Sequence, residues 1–244
     1  MKSENVRPAA VANMFYPGNA EMLRQKILDY LQKADSSNVK GKIKALIVPH
    51  AGYIFSGQVA ADAYKLLKDL DRDIDWKILL MGPSHYIPFS GAAATTFEKW
   101  ETPLGQVNVN DIRDEIGEKD SIINVPDAGD QEHSLEVQVP FLQMTLNKFK
   151  LYPLVLGDIK PEIFADDILE FCKKDDVILI VSSDLSHFLE YEEAKKVDLA
   201  TSEAVCNLDM NKMIEAGDAC GKMAILTLLH IAGKLDWKCK MLEY

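Results

Sequence analysis

Three apolar runs in this chain break off in the same way, each a few residues before a histidine. Ala45–Val48 (ALIV) has the length and β-branched content of a buried strand, and Pro49 stops it by removing a ladder donor and holding Val48 extended. His50 follows at once. Lys77–Met81 (KILLM) ends at Gly82-Pro83-Ser84 and His85, and Val177–Val181 (VILIV) ends at Ser182-Ser183-Asp184, with His187 three residues further on. Buried-type strands alternating with helical stretches make an α/β pattern, and in open α/β sheets ligands bind beyond the carboxyl ends of the strands. Were the three strands parallel neighbours, three imidazoles and Asp184 would meet at one sheet edge.

Between these runs the periodicity is mostly helical. Glu21–Gln32 carries an apolar stripe through Leu23, Ile27 and Leu31, and Gln58–Leu70 another through Val59, Ala63, Leu66 and Leu70, with Ser56 as its expected cap. Helices are also predicted over 111–117, 161–173, 192–208, 211–216 and 223–232. Strand-like segments flank the turn at 102–105, and short strands are expected at 122–125 and 151–156. From Ser134 the spacing is helical again, with Pro140 expected to start or bend a helix. Residues 34–41 read as a loop, and 237–244 alternate like a closing strand.

Length and composition narrow the field. The 244 residues, 48% of them hydrophobic, suit one large domain spanning 1–244. A formal charge of −11 argues against a nucleic-acid or anionic-membrane surface. No apolar run nears the roughly 18 residues of a spanning helix, and MKSENVRPAA lacks a signal-peptide core, so a cytoplasmic protein is expected. The phosphate loop, the dinucleotide fingerprint and the GxSxG elbow are all absent.

The chemistry then rests on histidine and cysteine. Cys172, Cys206, Cys220 and Cys239 are too scattered for a structural zinc motif. Cys220 falls at the start of the 223–232 helix, where free amides favour a thiolate, whereas the other three read as core or half-buried residues. His133, between Glu132 and Glu136, reads as a cap or as a pocket residue, and His230 as structural. Asp184 reads as a turn cap or as a carboxylate accompanying an imidazole. Histidines with an aspartate suit nonheme iron(II); two histidines with a thiolate suit iron, copper or zinc.

Six ordered motifs, VPHAGYIFSG, GPSHY, ETPLGQV, EHSLEVQVPFLQ, SSDLSHF and CGKMAI, resemble the Memo family (mediator of cell motility), including its prokaryotic AmmeMemoRadiSam type. The resemblance runs from Phe15 to about Cys239. It implies a mixed sheet flanked by helices, similar to the class III extradiol dioxygenases, with His50, His85 and Cys220 at the metal positions and His133, Asp184 and His187 in the pocket. Cys220 is a softer ligand than the glutamate that those dioxygenases set beside two histidines on iron(II). The family pattern continues beyond the point where this chain stops, so the C-terminal strand region reads as short or truncated.

The expected function is accordingly a redox-active or dioxygenase-like metalloprotein holding iron or copper, with zinc as a further option. His187, oriented by Asp184, would serve as acid or base. One alternative is a binding module whose pocket, rimmed by Phe15, Tyr16, Tyr53, Phe55 and Tyr86, takes a peptide or a small anionic ligand; another is a zinc hydrolase. The resemblance also implies a radical-SAM protein as a pathway partner.

Overall fold

A computed structural model describes residues 5–35 and 39–244. Residues 1–4 of the MKSENVRPAA stretch and part of the 34–41 loop lie outside the described residues. In chain order the elements are β1 (Val6–Arg7), α1 (Ala20–Lys33), β2 (Ala45–Val48), α2 (Tyr53–Lys65) with a 3₁₀ turn at Leu66–Asp69, β3 (Trp76–Pro83), β4 (Ala92–Ala94), β5 (Lys99–Thr102), β6 (Gly105–Asn108), α3 (Arg113–Ile116) and β7 (Ile122–Asn124). Then come α4 (His133–Glu136), α5 (Val139–Thr145), β8 (Phe149–Leu156), α6 (Pro161–Lys173), β9 (Val177–Ser182), α7 (Tyr191–Cys206), α8 (Met210–Ala216) and α9 (Lys222–Lys234).

Six strands form one mixed sheet in the order β2-β9-β3-β8-β4-β7. The three histidine strands are adjacent and parallel: Val48 lies opposite Ser182, and Met81 opposite Val181, so all three end at one edge. Antiparallel pairing of β4 with β8 makes the sheet mixed. A smaller sheet, β1-β5-β6, contains the antiparallel pair expected around residues 102–105.

Alternation along each strand sends neighbouring side chains to opposite faces. Ile78, Leu80, Ile178 and Ile180 join the core shared with α1, α2 and α5, while Leu79, Met81, Leu179 and Val181 join the core under α6 and α9. Both faces are covered, which is why these strands read as continuous apolar runs.

Three local expectations need correction. Helix α2 begins at Tyr53, five residues early, with Gly52 as its N-cap; the Ser56 hydroxyl instead donates to the Ala51 carbonyl. The continuous helical stretch from Ser134 is two short helices, and Pro140, expected to start or bend a helix, starts the second from the first turn of α5. Residues 237–244 form no strand. They are held by side chains, with Leu242 packed on the core and the Tyr244 hydroxyl donating to Asp198 at 3.0 Å, while β2 remains a sheet edge.

Candidate metal centre

His50 leaves β2 with its backbone N–H donated to Asp184 Oδ1 at 2.7 Å. Its ring orientation follows from the neighbours. The Ser182 hydroxyl gives its single proton to the Ser134 carbonyl at 2.5 Å and accepts from Gln138 Nε2 at 2.7 Å. Toward His50 Nδ1, 3.0 Å away, Ser182 Oγ can therefore only accept. Nδ1 thus carries a proton, and Nε2, 3.2 Å from Cys220 Sγ, is the nitrogen turned toward the cluster. Gln138 is itself fixed, accepting from Tyr64 and donating to the Pro49 carbonyl.

His85 is oriented by Glu132, a buried carboxylate that caps α4. Oε2 accepts the His85 backbone N–H at 2.7 Å; Oε1 accepts Nδ1–H at 2.9 Å and the Ser134 amide at 2.9 Å. Nε2 is the ring nitrogen left over. A carboxylate behind a histidine is the usual outer-shell partner of a metal ligand. Helix α4 can approach β3 this closely because of Gly82: a Cβ there would lie 2.8 Å from Leu135 Cδ2 and from Ser134 Oγ.

Cys220 stands just ahead of α9, two residues before its first turn, and is tied to the β9 loop at both ends. Its N–H donates to the Asp184 carbonyl at 3.2 Å, and its sulfur accepts the Asp184 N–H at 3.2 Å. Gly221 makes that junction feasible, since a Cβ would come within 2.6 Å of Ser183 Cβ and 2.8 Å of the Ser182 carbonyl.

Ligand atoms of His50, His85 and Cys220 all lie within 4.8 Å of one another. A tetrahedral ion with bonds of about 2.0–2.3 Å needs donor separations of about 3.3–3.8 Å, so a small contraction would close this set. Burial pushes the Cys220 thiol up, yet His50 and His85 more than offset it and bring it down to about 6. His85 is raised to about 10, by Cys220 first and then by Glu132, against burial. Glu132 is held down at about 2: burial opposes ionisation, but the His85 ring and the His85 and Ser134 amides outweigh it. Without metal, the sulfur and the His85 ring thus form an ion pair, whose proton must leave when a cation binds. In chelator-treated protein the alkylation rate of Cys220 by iodoacetamide is expected to rise through pH 6 rather than near the ordinary thiol value of 9, and His50→Ala should move that inflection upward. An inflection near 9 in the unaltered protein would contradict the thiolate.

The remaining expected residues divide. His133 joins the cluster: its ring stacks on His85 at 4.5 Å and contacts Phe15 at 4.7 Å, and Tyr86 Oη lies 3.3 Å from its Nδ1. Burial lowers its pKa to about 4, so it is neutral. Asp184 Oδ1 accepts from the amides of His50 and Ala51, and Oδ2 is 3.9 Å from both His50 Nε2 and His187 Nε2. His187 is half exposed at the outer rim and makes no close hydrogen bond to Asp184. Tyr86 and Phe55 are exposed at the rim, but Tyr16 and Tyr53 are not pocket residues: both are buried, their hydroxyls donating to Glu136 and to the Val137 carbonyl. Ser182, Gln138 and the orienting role of Glu132 lay outside the sequence reading; the adjacency of Glu132 to His133 was the one available signal.

Residues 7–244 match the family model for Memo-like proteins. The chain is 36% identical over 218 residues to a MEMO1 family protein of Aquifex aeolicus, covering 85% of this chain and 77% of that protein. It is 33% identical over 253 residues to one of Archaeoglobus fulgidus, covering 98% and 92%, and 34% identical over 239 residues to another of Thermoplasma acidophilum, covering 93% and 87%. With a match over nearly its whole length, and with its histidine strands side by side around Cys220, the chain belongs to the Memo-like family.

Proposed function

We propose that this protein is a metal-dependent redox protein in which His50 Nε2, His85 Nε2 and Cys220 Sγ hold iron or copper. The observation that carries this reading is the fixed orientation of the His50 ring: the Ser182–Gln138 relay holds a proton on Nδ1 and turns Nε2, the nitrogen a metal would take, to a sulfur 3.2 Å away. A thiolate with two imidazoles is softer than a carboxylate set and suits copper and iron as well as zinc. Such a bound ion would supply one-electron chemistry.

The chain's own residues then bind and orient an organic substrate. His133, neutral and stacked between His85 and Phe15, can accept a proton from a group placed over the cluster. Tyr86 closes one side through its contact with His133, and Asp184 and His187 border the other. Elemental analysis of protein purified without oxygen or chelator tests the reading. About one equivalent of iron or copper that cycles between oxidation states supports it. Zinc with esterase or amidase turnover would favour a hydrolase instead.

A second reading is favoured by the apolar rim. Ile54, Phe55, Tyr86 and Phe188 are all exposed near the strand ends, a surface suited to a peptide or small-molecule partner. Protein that stays metal-free when offered iron, copper and zinc, yet binds peptide, would favour a binding module.

A further inference from the structure

On the far side of the β9 loop lies a second feature. A cavity of about 810 Å³ runs between β2, α2, α9 and the irregular 237–244 segment, and its wall includes Asp184 and Ser186 of the site loop. Cys206, the last residue of α7, and Cys239 of the 237–244 segment both line it. Both are free thiols, and their sulfurs are 3.4 Å apart, with Cys239 S–H directed at Cys206.

We propose that Cys206 and Cys239 form a reversible disulfide that fastens the 237–244 segment over this cavity, with a low-molecular-weight disulfide as oxidant. An S–S bond of about 2.05 Å requires the two sulfurs to approach by roughly 1.4 Å. Cys239 is exposed and belongs to no helix or strand, so that approach displaces no ladder. One protein sulfur attacks the external disulfide, forming a mixed disulfide and releasing one thiol. The other then attacks the protein sulfur of that mixed disulfide and releases the second. Two protein S–H bonds and one external S–S bond are exchanged for two small thiols and one protein S–S bond; the external disulfide takes up the two electrons.

The remaining cysteines are placed for other things. Cys172 is enclosed in the core, and Cys220 belongs to the metal centre. What the link would hold is also visible. Asp198 accepts the Tyr244 hydroxyl at 3.0 Å with one oxygen and the Ser186 amide at 2.9 Å with the other. The fastened segment therefore shares a carboxylate with the loop that carries Asp184 and His187, and tethering Cys239 limits how far Tyr244 can leave it.

The test uses the full chain and its Cys220→Ser variant, each incubated with oxidised glutathione, blocked with iodoacetamide and mapped by mass. The expected result in both is a 206–239 cross-linked peptide about 2 Da lighter than the summed thiols, reversed by dithiothreitol. In Cys239→Ser, Cys206 should instead retain glutathione. Oxidation should also slow amide exchange at Ser186 by about threefold or more, a readout of the fastened segment. Recovery of both thiols alkylated, or pairing with Cys220, would overturn the disulfide; a cross-link that leaves Ser186 exchange unchanged would overturn the fastening.

Discussion

On the proposed metal site, Cys220→Ala is expected to weaken metal binding by about a hundred- to a thousandfold, leaving protein that purifies without the metal. The size follows from dividing the roughly 10–16 kcal/mol of a four-ligand structural site among its donors, which gives about 2.5–4 kcal/mol for each. Cys220 is the softest donor in this set and the anionic one, so its loss removes both the charge that balances the cation and the preference for copper or iron. The fold should tolerate the change. The side chain is half-buried, and the α9 junction is held by backbone hydrogen bonds, Cys220 N–H to the Asp184 carbonyl and Gly221 N–H to Ser183 Oγ. Competition against a chelating dye, run beside a urea melt, separates loss of the ligand from loss of the structure. A variant that still holds one equivalent at the original affinity would remove Cys220 from the site.

Much of this centre was legible because of how its carrier strands are buried. Strands covered on both faces write themselves as unbroken apolar runs, so the points where ALIV, KILLM and VILIV stop marked the sheet edge, and the histidines beyond them were visible as a set. The order β2-β9-β3 was not legible, because any pairing of such runs has the same hydrophobic pattern. The same limit explains the tail: 237–244 alternates, but alternation makes a strand only where a neighbouring edge pairs with it.

Polar residues inside the fold were harder to read. Gln138 lies between Val137 and Val139 and looks like the wet face of a helix, yet it is buried and points at Ser182 and Pro49. Tyr16 and Tyr53 looked like pocket aromatics because they stand beside site motifs. Their hydroxyls reach inward to Glu136 and to the Val137 carbonyl, where the rings fill core space. Arg7, in the MKSENVRPAA stretch that carries no apolar run, is fully enclosed. In each case the partner is distant in sequence, and no local spacing announces it.

That inner layer makes the second large effect. Glu136→Ala is expected to destabilise the protein by about 3–5 kcal/mol, because it leaves a buried guanidinium without its counter-ion. The Glu136 carboxylate accepts from Arg7 and the Tyr16 hydroxyl and from the amides of Ala10 and Val11 at 2.8 and 3.0 Å, so four donors lose their acceptor together. Arg7 also donates Nε to the Gly129 carbonyl and Nη2 to the Glu132 carbonyl, and its guanidinium covers the Trp100 ring at 4.7 Å. The smaller sheet, the 129–132 loop and the helix that carries His133 are thereby pinned to one another. Because Glu132 sits on that loop, the damage should extend to His85, and metal affinity should fall alongside stability. Urea unfolding of the metal-free variant measures the first effect without the second. Arg7→Met combined with Glu136→Leu, which removes both charges, should recover part of the loss. A single-variant cost below about 1 kcal/mol, or a double variant no more stable than the single one, would mean that the buried pair is not what holds this layer together.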